Sequence, residues 1–289
     1  MSSTWIFFAI FIPWPLKISG LIKRLRQAGE NFLAALSFLT VLVPPRTGAA
    51  NNFSSLLNWF GPAGLLAGII CAACSWSICL SLFSLARAPE VVASLCGGAA
   101  WIFCEIFLSR GLHWDGVADL VDGLGSGASG EEFWRIMKDS RLGTFGALAT
   151  TLLVLGDSLF ASVCFSRALA NPGDFIEKLA PLALSSAWGR LAPIWLGAGR
   201  VAWRGSALGK LVCENPASGK PALLFAVCIL ALAYCAGTRA ASLVALVCVQ
   251  WLLIRGLGAF GASRGGLSGD FFGAAIEFSM TLFLFFSLF

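Results

Sequence analysis

Seven stretches of this chain stay apolar for about 20 residues at a time: 61–86, 91–109, 143–166, 179–198, 221–237, 240–260 and 271–289. About 20 such residues, coiled as a helix, match the ~30 Å hydrocarbon core of a bilayer. Composition agrees along the whole length, with 58% hydrophobic and only 12% charged residues, against roughly 25% charged in a soluble domain. No long polar stretch leaves room for a separate soluble domain, and there is no internal repeat or low-complexity linker. The expected fold is all-α: a polytopic integral membrane bundle of about 6–8 transmembrane helices, forming one unit over 31–289.

Residues 1–30 read as an extension. SSTWIFFAIFIPWPLK lacks a basic leader, and Pro13 and Pro15 interrupt its apolar run, which argues against a cleaved signal peptide. An amphipathic interfacial segment fits better, with Trp5 and Trp14 at headgroup depth and Lys17, Lys23, Arg24 and Arg26 behind them. The run 31–44 is short before Pro44-Pro45 and suits a half-helix or re-entrant piece.

If 31–44 does not cross, the basic residues sort by side. Lys17, Lys23, Arg24, Arg26, Arg46, Arg110, Arg135, Lys138, Arg141, Arg200, Arg204, Lys210, Lys220 and Arg264 fall on one side, and Arg87, Arg167, Lys178 and Arg239 on the other. The positive-inside rule then puts loops 110–142, 199–220 and 261–270 together on the cytoplasmic face. The net charge of +5 is thereby a matter of membrane orientation, and no basic-aromatic stretch of the kind nucleic acid requires is present. Of the ten cysteines, all but Cys213 lie inside apolar runs and act as small hydrophobes. Cys71 and Cys74 form a CxxC with no second Cys/His pair nearby, so a metal or redox role is set aside.

Six of the fifteen acids fall within 110–141: Asp115, Asp119, Asp122, Glu131, Glu132 and Asp139. In RGLHWDGVADLVDGLGSG the three aspartates stand at i, i+4 and i+7, one face of a helix. Three unpaired carboxylates in a row need a cation or water between them, and Mg²⁺ is held by a few carboxylates plus substrate phosphates. The plain alternative is a solvated acidic face. The next stretch, KDSRLGTFG, sets Lys138 and Arg141 beside Asp139 at a helix start, where phosphate oxygens are well held; it also reads as an ordinary loop with positive-inside residues. His113, the only histidine, is either a general base or a hydrogen-bonding filler. Near the C-terminus, GGLSGDFFGAAIE places Asp270 and Glu277 on one face. Glu277, Asp157, Arg190 and Arg255 are charges within apolar runs, which face the bundle interior, as ion pairs or as substrate contacts.

GLHWDGVADLVDGL followed by IMKDSRLGTFGALA resembles the cobalamin synthase (adenosylcobinamide-GDP ribazoletransferase) family, whose pattern is roughly G-G-hydrophobic-H-x-D-G-x-A-D-x-x-D-G and then I-M-K-D-S-R-x-G-T-x-G. FLTVLVPP at 38–45, FGPAGLLAG at 60–68 and GGLSGDFFGAAIE extend the likeness over about 31–285. Two positions depart: Arg110 stands where a glycine is common, and Val41 where an arginine usually follows Thr40. The resemblance implies that adenosylcobinamide-GDP and α-ribazole, or its 5′-phosphate, are joined with release of GMP, with Mg²⁺ as cofactor, at the inner face of a bacterial cytoplasmic membrane. It implies Asp115, Asp119, Asp122 and Asp139 as metal ligands and His113, Asp115 and Asp119 as catalytic groups. Lys138, Arg141, Arg190, Asp270 and Glu277 are then substrate contacts. A homo-oligomer, or a complex with other cobalamin-assembly enzymes, is compatible with this setting.

Two readings compete. A CDP-alcohol-type phosphotransferase also clusters aspartates, but at D-G-x-x-A-R spacing, and here Ala118 is followed by Asp119 instead of arginine. A cation transporter would set Asp157, Glu277 and Arg255 along a path, yet the acids concentrate in one loop.

Overall fold

The computed structural model describes the backbone of residues 14–45, 53–217 and 219–289, with side chains from residue 20 onward. Trp5, Pro13 and Arg46 lie outside the described residues. Within them the chain forms thirteen α-helices and no strand beyond a single bridge, Ala202–Leu267.

The first helix, α1 (Trp14–Leu39), runs straight through residue 30, where the sequence suggested a boundary. Leu21, Ile22 and Leu25 in its first half are exposed, whereas Ala35, Leu36 and Leu39 are buried against α3 (Phe60–Ser84). After α1 the chain leaves the helix at Thr40, whose hydroxyl donates back to the Leu36 carbonyl at 2.7 Å. The short α2 (Phe53–Leu57) precedes α3, and α4 (Glu90–Leu108) returns. Next come two short helices, α5 (Leu112–Gly125) and α6 (Gly130–Met137), and the long α7 (Thr144–Ala170).

The stretch expected to span at 179–198 is broken into α8 (Phe175–Gly189) and α9 (Ala192–Gly197). Pro193 has no N–H for the ladder and its ring crowds the preceding turn, so the first helix ends and a second begins. The remaining elements are α10 (Ala207–Glu214), α11 (Gly219–Cys235), α12 (Ala240–Ser263) and α13 (Gly269–Phe286). Among the described residues α3, α4, α7, α12 and α13 are each long and apolar enough to cross a membrane, and the bent pair α10–α11 raises five to six. That is the low end of the expected count, because α8 is too short alone.

The last helix, α13, is the hub, in contact with α5, α7, α8, α9 and α12. In lipid, helices associate through close packing, and small residues permit it. A methyl group on Gly116 of α5 would lie 2.7 Å from the Asp270 carbonyl oxygen, and one on Gly273 would lie 3.1 Å from that of His113. Gly98 does the same for α4 against Ser158 of α7, and Gly64 and Gly68 for α3 against α8.

The three loops expected on one face do meet at one end. Trp134 and Trp203 stack at 4.1 Å. The Trp134 indole donates to the Arg264 carbonyl (2.8 Å), and Trp203 N–H to that of Leu267 (2.9 Å). Arg167, Glu177, Lys178 and Arg239 gather at the opposite end.

Candidate active site

The turn from α4 into α5 uses two left-handed residues, Arg110 (φ 58°) and Gly111 (φ 67°). A glycine adopts that conformation without steric cost, as Gly111 does, whereas Arg110 carries a side chain into it. Here the Arg110 side chain compensates by donating to the Phe38 carbonyl of α1 at 3.3 Å.

The turn delivers α5 with its polar face toward the N-terminus of α13. His113 is buried, its Nδ1 3.1 Å from Oε1 of Glu277. Asp115 is exposed and Asp119 half-buried. Burial, with Asp115, Asp270 and Asp122 nearby, pushes the Asp119 carboxyl up to about 7. From α13, Asp270 accepts a 2.8 Å hydrogen bond from the Ser268 hydroxyl.

The third aspartate of the face has another task. Asp122 accepts from the backbone N–H of Gly143 (2.7 Å) and of Gly146 (2.8 Å). It thus caps α7, whose first N–H groups have no partners within the helix. Glycine is required opposite it, since a side chain on Gly143 or Gly146 would strike the carboxylate. Asp139 is likewise engaged: the Arg141 guanidinium holds it from Nη2 (2.6 Å) and Nε (3.0 Å), drawing its carboxyl down to about 2.

His113, Asp115, Lys138 and Asp270 line a cavity of about 350 Å³, walled by Phe38, Phe53 and Phe60 on one side and by Trp203, Ser206 and Leu208 on another. Among the described residues no three His, Cys, Asp or Glu side chains converge into a group able to hold a metal ion. Of the three aspartates expected along α5, Asp122 is turned toward α7, and Asp115 lines the cavity together with Asp270 while Asp119 does not. Asp115 and Asp270 are the carboxylates there that could hold Mg²⁺, an ion usually bound by one or two carboxylates with substrate phosphates completing its shell.

Of the expected substrate contacts, Lys138 and Asp270 line this cavity, and Arg141, Arg190 and Glu277 do not. Arg190 pairs with Glu105 of α4 at 2.9 Å, both side chains 2% exposed, and donates further to the Ser186 carbonyl. Glu277 sits behind His113 and orients its ring. Glu105 and Trp203 were not singled out from sequence. An acid within an apolar run was the available signal for Glu105, whereas Trp203 has none, since its partners Trp134, Lys138 and Leu267 all come from distant parts of the sequence.

A family model for cobalamin-5-phosphate synthase matches residues 31–288 of this chain. The chain belongs to the cobalamin-5-phosphate synthase family. Its relatives include an adenosylcobinamide-GDP ribazoletransferase of Nitratidesulfovibrio vulgaris strain Hildenborough, 34% identical over 86% of this chain and 92% of the relative. Another, from the Miyazaki F strain of that species, is 34% identical over 90% and 94%. One from Syntrophobacter fumaroxidans is 34% identical over 88% and 96%. No solved structure matches. The synthase family match takes in α5, the capped start of α7 and the whole of α13. A multi-pass membrane transferase of cobalamin synthesis is thus established, as the sequence resemblance implied.

Proposed function

We propose that this chain joins adenosylcobinamide-GDP to α-ribazole, or to its 5′-phosphate, releasing GMP, in the cavity between α5, α13 and the 203–208 loop. The observation that carries the reading is the convergence on one cavity of two acids, a lysine and a buried histidine backed by a carboxylate. Transfer between a diphosphate and an alcohol asks a protein chiefly for charge neutralisation and positioning.

A ribose hydroxyl oxygen of α-ribazole attacks the phosphorus bearing the corrinoid arm. The new P–O bond forms as the bond to the bridging oxygen breaks, and GMP departs with that electron pair. Asp115 and Asp119, with Asp270 beside them, would hold Mg²⁺; when bound, the ion supplies neutralisation of the diphosphate oxygens. His113 has Nδ1 committed to Glu277, so Nε2 is the ring nitrogen left to take the hydroxyl proton. Lys138 binds a phosphate oxygen at the cavity wall. Arg141, largely exposed beside Asp139, draws the anionic substrate in. We further propose that this end faces the cytoplasm of a bacterial inner membrane, because it carries most of the basic residues.

The test is purified protein in lipid with adenosylcobinamide-GDP, Mg²⁺ and either α-ribazole or α-ribazole phosphate, assayed for GMP. GMP should appear, cease on chelation and return with added Mg²⁺. Asp119→Asn should abolish turnover while the protein remains inserted; no GMP with either acceptor would defeat the reading.

A further inference from the structure

The three loops at the site end build a second recess that the reaction chemistry has not used. It measures about 690 Å³ and shares Lys138 and Trp203 with the catalytic cavity. Its walls otherwise include Trp134, Arg204, Arg264 and Glu131. Residues 133–138 and 203–204 each carry aromatic and basic side chains together, and the fold joins them with Arg264 into one surface.

Two features point to a ligand. Nε of Arg264 is buried with no hydrogen-bond partner, while the guanidinium lies 5.2 Å over Phe133 and 5.0 Å over Phe260. Buried charged donors are ordinarily paired, and an unpaired one calls for an anion. Second, Lys138 lies 4.3 Å over the Trp203 ring on the wall common to both recesses, so an anion held there reaches into each. Arg204, whose side chain is 85% exposed, is tethered to Glu131 only by a 3.4 Å contact and is free to turn to a phosphate.

We propose that this recess is the subsite for the purine nucleoside monophosphate half of the substrate. Lys138 holds the diphosphate at the junction, Arg264 and Arg204 grip the phosphate next to the ribose, and the indole edges flank the base. Glu131 is the acidic side chain on the wall and accepts from N–H groups that guanine presents and adenine lacks. The proposal rests on the transferase reading for its ligand, but binding can be measured without turnover.

The experiment titrates GMP and AMP into the full-length protein in lipid nanodiscs, with and without Arg204→Gln, Arg264→Met and Glu131→Gln. GMP should bind the unaltered protein at least tenfold more tightly than AMP. Each arginine variant should lose at least tenfold in GMP affinity and show a matching rise in KM for the corrinoid nucleotide, with the α-ribazole KM unchanged. Glu131→Gln should erase the preference over AMP. Equal GMP affinity in Arg204→Gln and the unaltered protein, or no GMP binding at all, would overturn the subsite. GMP binding as described without GMP formation from the two substrates would instead overturn the transferase reading and leave the subsite standing. Arg204 is exposed, so its variant separates loss of binding from loss of fold should Arg264→Met misfold.

Discussion

Asp119 holds its proton chiefly because it is part-buried, with Asp115, Asp270 and Asp122 adding to the effect. Its carboxyl keeps a proton up to about pH 7, whereas an unfolded chain releases it near pH 4. The folded, ion-free protein therefore binds this proton more tightly. The contribution to stability is greatest below about pH 4 and falls away as pH rises toward 7. A divalent ion must displace the same proton. Mg²⁺ affinity should accordingly rise by up to about tenfold per pH unit from pH 6 toward 7 and level off above it. Calorimetric titration at pH 6, 7 and 8 checks this, and an affinity flat across that range would remove Asp119 from the ion's shell. The acidic face was legible in the i, i+4, i+7 spacing. The reassignment of Asp122 was not, because its partners are backbone N–H groups 21 and 24 residues away, and spacing along one helix carries no information about another helix's start.

Between elements, the closest approach near the site is that of α5 to α13, made possible by Gly116 and Gly273. Gly116→Val would force the two helices apart at the level of Asp270. Displacement of about 1 Å in a catalytic constellation can cost on the order of 10² in rate. We expect kcat/KM to fall at least tenfold with helical content retained by circular dichroism; an unchanged rate would show that the α5–α13 spacing does not set the active geometry. Most helices were readable as apolar runs. The break at Arg190–Leu191 was missed although Pro193 marked it, since hydropathy averages across a proline and across a buried arginine whose partner, Glu105, is 85 residues earlier. The continuity of α1 was missed too, because its amphipathic first half and its buried second half differ in composition.

For the molecule as a whole, polar groups in the bundle interior act as fasteners. Glu105 and Arg190 tie α4 to α8 with both charges removed from water. Removing one partner strands the other, at about 3–5 kcal/mol. Arg190→Met should therefore lower the melting temperature in detergent markedly, and Glu105→Gln in the same chain should restore part of the loss. Additive effects of the two substitutions would show that the pair does not couple. A transporter would need Asp157, Glu277 and Arg255 along one path; the two acids are buried and line none of the cavities at the site end, whereas Arg255 is exposed and lines a recess without them.

The Asp122 clasp on α7 has a consequence for speed. The segment bearing Lys138 and Arg141 is moored at its downstream edge by two hydrogen bonds and at its upstream edge by the indole pair. A slack strap would have to be tamed anew each time a substrate arrived, spending affinity on every catalytic cycle. Here that disorder is given up once, during folding, so the enzyme meets each incoming molecule with its grip already shaped.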